Sequence, residues 1–185
     1  MAETRREWDA LMALLPTSGS GEIEATDIRD ACYSLLPNVG IIYVASGDEA
    51  ATTLGSTDWI KASGTTTSVL LDAFTMPANN RILYSGTPDR RVFVWGFTSV
   101  ETASADRTLQ VGLYHYDASG ASGSVIAHSP IQHYHVDTNT YAAATFGTCL
   151  METNDYVELH LKNSSADNAT ANNLCLAAIG IPVLV

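Results

Sequence analysis

Positive charge is scarce in this 185-residue chain: nine Lys and Arg stand against 20 Asp and Glu, a formal net charge of −11. Contacts to a nucleic-acid backbone need Lys and Arg, so the balance argues against direct nucleic-acid binding. The shortage is general, since three basic and seven acidic residues precede position 38, six and thirteen follow it, and neither part is a polybasic arm. Cysteine is scarce as well. Cys32, Cys149 and Cys175 have no CxxC spacing and are odd in number, which fits free thiols in a reducing compartment better than a disulfide framework. No apolar run approaches the length of a membrane span. The front end has no basic stretch leading into an apolar core, as a secretory signal would. The expectation is a protein assembled in a cytoplasm, with no membrane partner. GxSxG, P-loop and HExxH motifs are absent too, and no enzyme class is indicated.

What the chain has is apolar residues, 46% against only 16% charged. That composition describes a globular domain, and so low a charged fraction fits a surface partly covered by partners. The length suits one full domain with a small appendage.

The appendage is the front end. In "ETRREWDALMALLP" Trp8, Leu11, Met12 and Leu15 recur at helical spacing, and Pro16 stops the pattern. A "TSGSG" connector follows. In "GEIEATDIRDACYSLLP" Ile28, Cys32, Leu35 and Leu36 share a second helical face, ended by Pro37. With Glu24 as N-cap, Ile23 and Ile28 form a hydrophobic staple and Asp27 sits in the first turn, where the helix dipole favours an anion. Thr26 is the alternative cap of a shorter helix. Two helices this short are marginal alone and must dock on something. Either they cover a sheet edge of their own domain or they attach the chain to another subunit.

Residue 39 onwards reads as strand and turn. Runs such as "VGIIYVA" (39–45), "TTTSVLLDAFT" (65–75), "RVFVWGFTSVE" (91–101), "RTLQVGLYHYD" (107–117), "SVIAHS" (124–129), "AATFGTCLME" (143–152) and "DYVELHLKN" (155–163) lie between Gly, Ser, Asn and Asp punctuation, and "GDEAATTLGSTD" reads as loop. Val157, Leu159 and Leu161 alternate with Tyr156, Glu158, His160 and Lys162, and Leu109, Val111 and Leu113 with Gln110, Gly112 and Tyr114. Many short strands without strand–helix alternation predict a mainly β, antiparallel jelly-roll sandwich behind a short N-terminal helical segment. The division expected is a helical anchor at 1–38, a connecting strand and loop at 39–58, and a jelly-roll domain at 59–185. On the faces opposite those Leu and Val rows stand Tyr114, Tyr116, Tyr156 and His160, an aromatic set suited to a protein–protein interface.

Two stretches carry a resemblance. Gly21, Ile23, Asp27, Ile28, Arg29 and Asp30 match the N-terminal anchoring segment of many tailed-phage virion proteins, with Glu24 where that segment usually has Ser. "LMETNDYVELHLKNSSADNATANNLCLAAIGI" (150–181) looks like the closing hairpin of trimeric jelly-roll domains in phage decoration and fibre proteins, which share the build of the complement and tumour-necrosis-factor trimers. Their Gly–Asp–Tyr–Val–Glu is here Asn154, Asp155, Tyr156, Val157 and Glu158, a mild change because Asn tolerates the left-handed turn. Trp59, Ile60, Phe74, Pro77 and Asn80 to Tyr84 look like the opening strands. The resemblance implies a homotrimer on the outer capsid surface of a virion, without cofactors, with 59–185 as its trimerisation domain and Tyr114, Tyr116, Tyr156 and His160 as its trimer contacts. It docks on the major capsid protein through Trp8, Leu11, Leu15, Ile23, Asp27, Ile28, Arg29 and Asp30. The alternative is a tail-fibre or tail-tip protein, attached to a tail or baseplate protein, that binds a host glycan with aromatics such as Trp59 or Tyr134.

Other chemistry is thin. His133 and His135 share one face of a strand, but no Cys or carboxylate partner stands at ligand spacing, so a His-rich surface strand is the reading preferred over a metal site. Asp155 and Glu158 are the pair a glycosidase reading would use, but they lie in or beside a turn, and an ordinary packing role is the reading preferred. "DTNT" (137–140) is too short for a calcium loop. Arg81, Arg90 and Arg91 form one basic cluster, able to make salt bridges to a neighbouring subunit or to remain a solvated turn.

Overall fold

The structure, a computed structural model, describes residues 36–54, 58–163 and 168–183. Among them are thirteen strands, numbered in chain order, and no helix. The anchor helices, with Trp8, Leu11, Leu15, Ile23, Asp27, Ile28, Arg29 and Asp30, lie outside the described residues.

The strands form two antiparallel sheets. Sheet I carries, in order, β11 (Tyr141–Met151), β7 (Arg90–Thr102), β13 (Ala169–Pro182), β1 (Asn38–Glu49) and β4 (Gly64–Leu71), with β2 (Ala51–Thr52) also paired to β13. Sheet II carries β10 (Ile131–His135), β8 (Arg107–Asp117), β12 (Tyr156–Asn163), β6 (Ile82–Tyr84) and β5 (Phe74–Thr75), with β3 (Ile60–Lys61) on β12 and β9 (Ser122–Val125) on β8. The strand of the 39–58 stretch, β1, is built into the sandwich between β13 and β4.

The core is the space between the sheets. Leu109, Val111, Leu113, Val157, Leu159 and Leu161 from sheet II meet Val92, Val94, Val100, Leu174, Leu176 and Ala178 from sheet I, all fully buried. Period-2 alternation places them there, and each large side chain contributes roughly 1.5–3 kcal/mol on burial. Gly96 lets the two sheets approach, for a Cβ at that position would stand 2.6 Å from Leu159 Cδ1 and 2.8 Å from Thr145 Cγ2. Asn80 is a buried polar tie: its Nδ2 donates to the carbonyls of Ala62 (3.1 Å) and Leu159 (2.9 Å), and its backbone N–H donates to Thr66 Oγ1 (2.9 Å). Such satisfaction is what makes a buried amide tolerable.

Turn chemistry trims the strands expected from sequence. The 65–75 run is split into β4 and β5 by Ala73, which adopts a φ of 54°. The 124–129 run stops at Val125: His128 takes a φ of 65°, and Ser129 Oγ accepts the Leu113 N–H (3.0 Å) where a longer strand would have paired. Asn154 does adopt the left-handed turn, with φ 78°.

Candidate functional site

The sandwich has two outer faces, and both carry aromatics. On sheet II, registers Tyr156↔Tyr116 and Glu158↔Tyr114 bring the expected interface residues together. Tyr116 stacks on Tyr156 (centroids 4.7 Å, 13°) and Tyr114 on His160 (4.3 Å, 6°). Glu158 links them to charge. Its Oε1 accepts Arg81 Nε (2.8 Å) and lies 3.3 Å from Lys61 Nζ, and its Oε2 is 3.0 Å from His160 Nε2. Arg81 also lies flat over the Tyr156 ring, 3.8 Å from its centroid, a cation–π contact. Burial would push the Glu158 carboxyl up, but hydrogen bonds from His160 and Arg81 and the charges of Lys61 and Arg81 hold it below its ordinary value. Glu158 and His160 are therefore buried on what alternation marks as the outer side. Tyr114, Tyr116, Tyr156 and His160 are a ladder with partners inside one chain.

Sheet I is different. Its registers set side chains in cross-strand rows on the outer face: Phe146, Trp95, Ala177, Ile41 and Leu70; Ala144, Phe97, Cys175, Tyr43 and Thr67; Thr148, Phe93, Ile179 and Val39. No charged residue stands in these three rows. Trp95 and Phe146 are 5.7 Å apart, Phe93 and Phe146 6.3 Å, and Phe97 and Phe146 remain 49% and 48% exposed. Arg91 bounds the patch at one end, between Leu150 and Ile181. Exposed apolar rows of this kind, aromatic and without charge, have the composition of an interface core.

The arginine cluster does not exist as expected. Arg81 is on sheet II, paired to Glu158 of its own chain. Arg90 is buried, whereas Arg91, the next residue on β7, faces out from sheet I, because successive strand residues point to opposite sides. Of the glycan-stacking candidates, Trp59 is half-buried over Gly112, where a Cβ would meet its ring at 3.1 Å. Tyr134 is exposed, and its hydroxyl donates to Asp106 (3.0 Å), a bond that raises its pKa.

His133 and His135 share a face, but that face turns inward. His135 is buried edge-on to Tyr141 (4.6 Å), and among the described residues neither ring nitrogen has a hydrogen-bond partner. Burial, and next the charge of His133, lower its pKa. No group of three or more ligating side chains able to hold a metal ion occurs among the described residues. Asp155, in the β11–β12 turn, accepts the backbone N–H groups of Ala118 (2.8 Å) and Glu152 (3.0 Å) and faces His115 Nε2 at 3.2 Å, so it organises a turn. Burial pushes the Cys149 thiol to about 12 and raises that of Cys175, which keeps both as thiols.

No family model matches the sequence, and no curated protein matches it. Solved structures do match in fold. The Eiger TNF of S. frugiperda is 9% identical, with a TM-score of 0.55 over 80% of this chain and 94% of that one. Murine APRIL, in its crystal structure at pH 8.5, is 8% identical, with a TM-score of 0.53 over 79% of this chain and all of that one. The described body has the tumour-necrosis-factor type of jelly-roll fold.

Proposed function

We propose that this chain is a non-enzymatic structural protein that closes into a homotrimer through the outer face of sheet I. In this reading the trimer decorates the outside of a phage capsid, with residues 1–38 docking on the major capsid protein. The observation that carries the trimer is the charge-free aromatic face of β7, β11, β13 and β1. A second copy of the chain is its natural cover: surfaces of that size are costly to leave in water, and obligate interfaces resemble a domain core cut in half. The number three comes from the resemblance to trimeric jelly-roll domains, which the tumour-necrosis-factor type of fold supports. The assembly face thus moves from the Tyr114 and Tyr156 ladder, whose groups are paired within one chain, to the face whose groups are not.

The capsid partner rests on the Gly21–Asp30 motif, and the net charge of −11 suits a component held outside packaged DNA. Native mass spectrometry of the full chain should give three copies; a monomer at micromolar concentration would sink the trimer. Quantitative gels of purified particles test the location. High copy number is expected, and a few-copy result favours the tail-fibre reading instead. Removing residues 1–37 should leave a soluble trimer that no longer binds capsids, and full decoration by the truncated chain would reduce the anchor to an edge cover.

A further inference from the structure

At the Arg91 end of sheet I the outer face keeps apolar side chains on both sides of the arginine. Leu150, Ile181 and Val183 are exposed there, and Pro88, Asp89, Leu150 and Val183 line a concavity of about 370 Å³. That volume is at the small end of the range for occupied clefts. The chain enters the fold at this place. Asn38 pairs with Gly180 at the start of β1, three residues before Val183, and Leu36, two residues before Asn38, is half exposed.

We propose that this concavity is the seat of residues 21–36 of the same chain, with the apolar stripe Ile28, Cys32 and Leu35 laid against Leu150 and Val183. Three arguments select this occupant. The stripe is one-sided and needs an apolar cover. A helix of this length is marginal until packed. And the segment is tethered within a few residues of the seat, so its effective concentration is on the order of millimolar before any other ligand arrives. The seat would hold only the apolar stripe of the second stretch against the body and leave its polar side, with Asp27, Arg29 and Asp30, and the first stretch, with Trp8, Leu11 and Leu15, to reach a partner. The proposal does not depend on the trimer or on the capsid.

The test uses the full chain carrying Val183→Cys and Cys175→Ser, oxidised mildly. A bridge should form between native Cys32 and the thiol at position 183 within one chain, seen as a linked peptide and as single-chain mass on a non-reducing gel. Asp106→Cys in the same Cys175→Ser background, in the loop at the far end of β7, should form none. Independently, trypsin should cut after Arg29 about tenfold faster in Leu150→Asp than in the unmodified chain, because cleavage tracks the released population. A bridge between two chains, or an Arg29 cleavage rate unchanged by Leu150→Asp, overturns the proposal.

Discussion

On sheet II, Tyr156 lies between Tyr116 and the guanidinium of Arg81, and Glu158 gathers Arg81, Lys61 and His160 around one carboxylate. On sheet I, Phe97 and Phe146 stand half in water in cross-strand rows that hold no charged residue. Both faces are aromatic, and aromatic content alone does not tell them apart. What separates them is whether polar and charged groups of the same chain complete the set. A ladder completed by its own ions gains little from a partner, because covering it desolvates charges that are already paired. A face of Phe, Trp, Ile and Ala has no such cost and gains from every Å² covered.

The sharpest way to break this contrast is Trp95→Glu. A charge in the centre of the sheet I face should turn the trimer into a folded monomer in sedimentation equilibrium, a loss of at least ~2 kcal/mol at each contact. Its counterpart, Tyr116→Ala, should leave the trimer intact and cost about 1 kcal/mol of folding stability. If the two variants exchange phenotypes, the assembly face is sheet II. Glu158→Gln comes next. Arg81, Lys61 and His160 would keep an acceptor but lose its charge; solvent screens Lys61 and Arg81 in part, so the expected cost is about 2 kcal/mol in urea unfolding, with assembly unchanged. Gly96→Ala acts between the sheets and not on either face: Leu159 and Thr145 must move, at a cost of roughly 1–2 kcal/mol, read as a lower Tm.

The smallest effect is in pH. His135 is neutral when folded, with a pKa below its unfolded value of about 6.5. The unfolded chain therefore binds this proton first. The stability is complete above pH ~6.5 and falls as the pH drops toward the folded pKa, by at most about 1.4 kcal/mol per unit from this one group. Groups around it are His133, Asp137, Tyr141 and, across the β10–β8 register, Arg107. His135→Phe should flatten this limb of the pH–stability curve below about pH 6.5, and an unchanged slope would assign it to other groups.

The sandwich was legible because period-2 alternation is a direct consequence of strand geometry: Val157, Leu159 and Leu161 are buried in the row their spacing indicates. The turn at Asn154 was legible from one residue's tolerance of positive φ. Two things were not. The runs "RVFVWGFTSVE" and "CLAAIGI" are apolar on both faces, so alternation could not say that Phe93, Trp95 and Phe97 point away from the core; uninterrupted apolar character was itself the signal of a strand covered on both sides. And Tyr114, Tyr116, Tyr156 and His160 looked available because Arg81 and Lys61, which complete their face, stand 77 and 97 residues before Glu158 in the sequence. Asn80 is similar, since nothing local announces a ligand to the Ala62 and Leu159 carbonyls.

The first strand of the body, β1, pairs through Asn38–Tyr43 with the last, β13, which also separates it from β7. Local contacts cannot build that arrangement. Sheet I cannot close until nearly the whole chain is available, and pairings this distant in sequence form slowly. In the interval β7 and β11 present Phe93, Trp95 and Phe146 without the neighbours that will flank them. Synthesis rate and chaperone supply, more than final stability, should decide how much of this protein reaches the assembled state, and lowering expression temperature should raise the soluble yield.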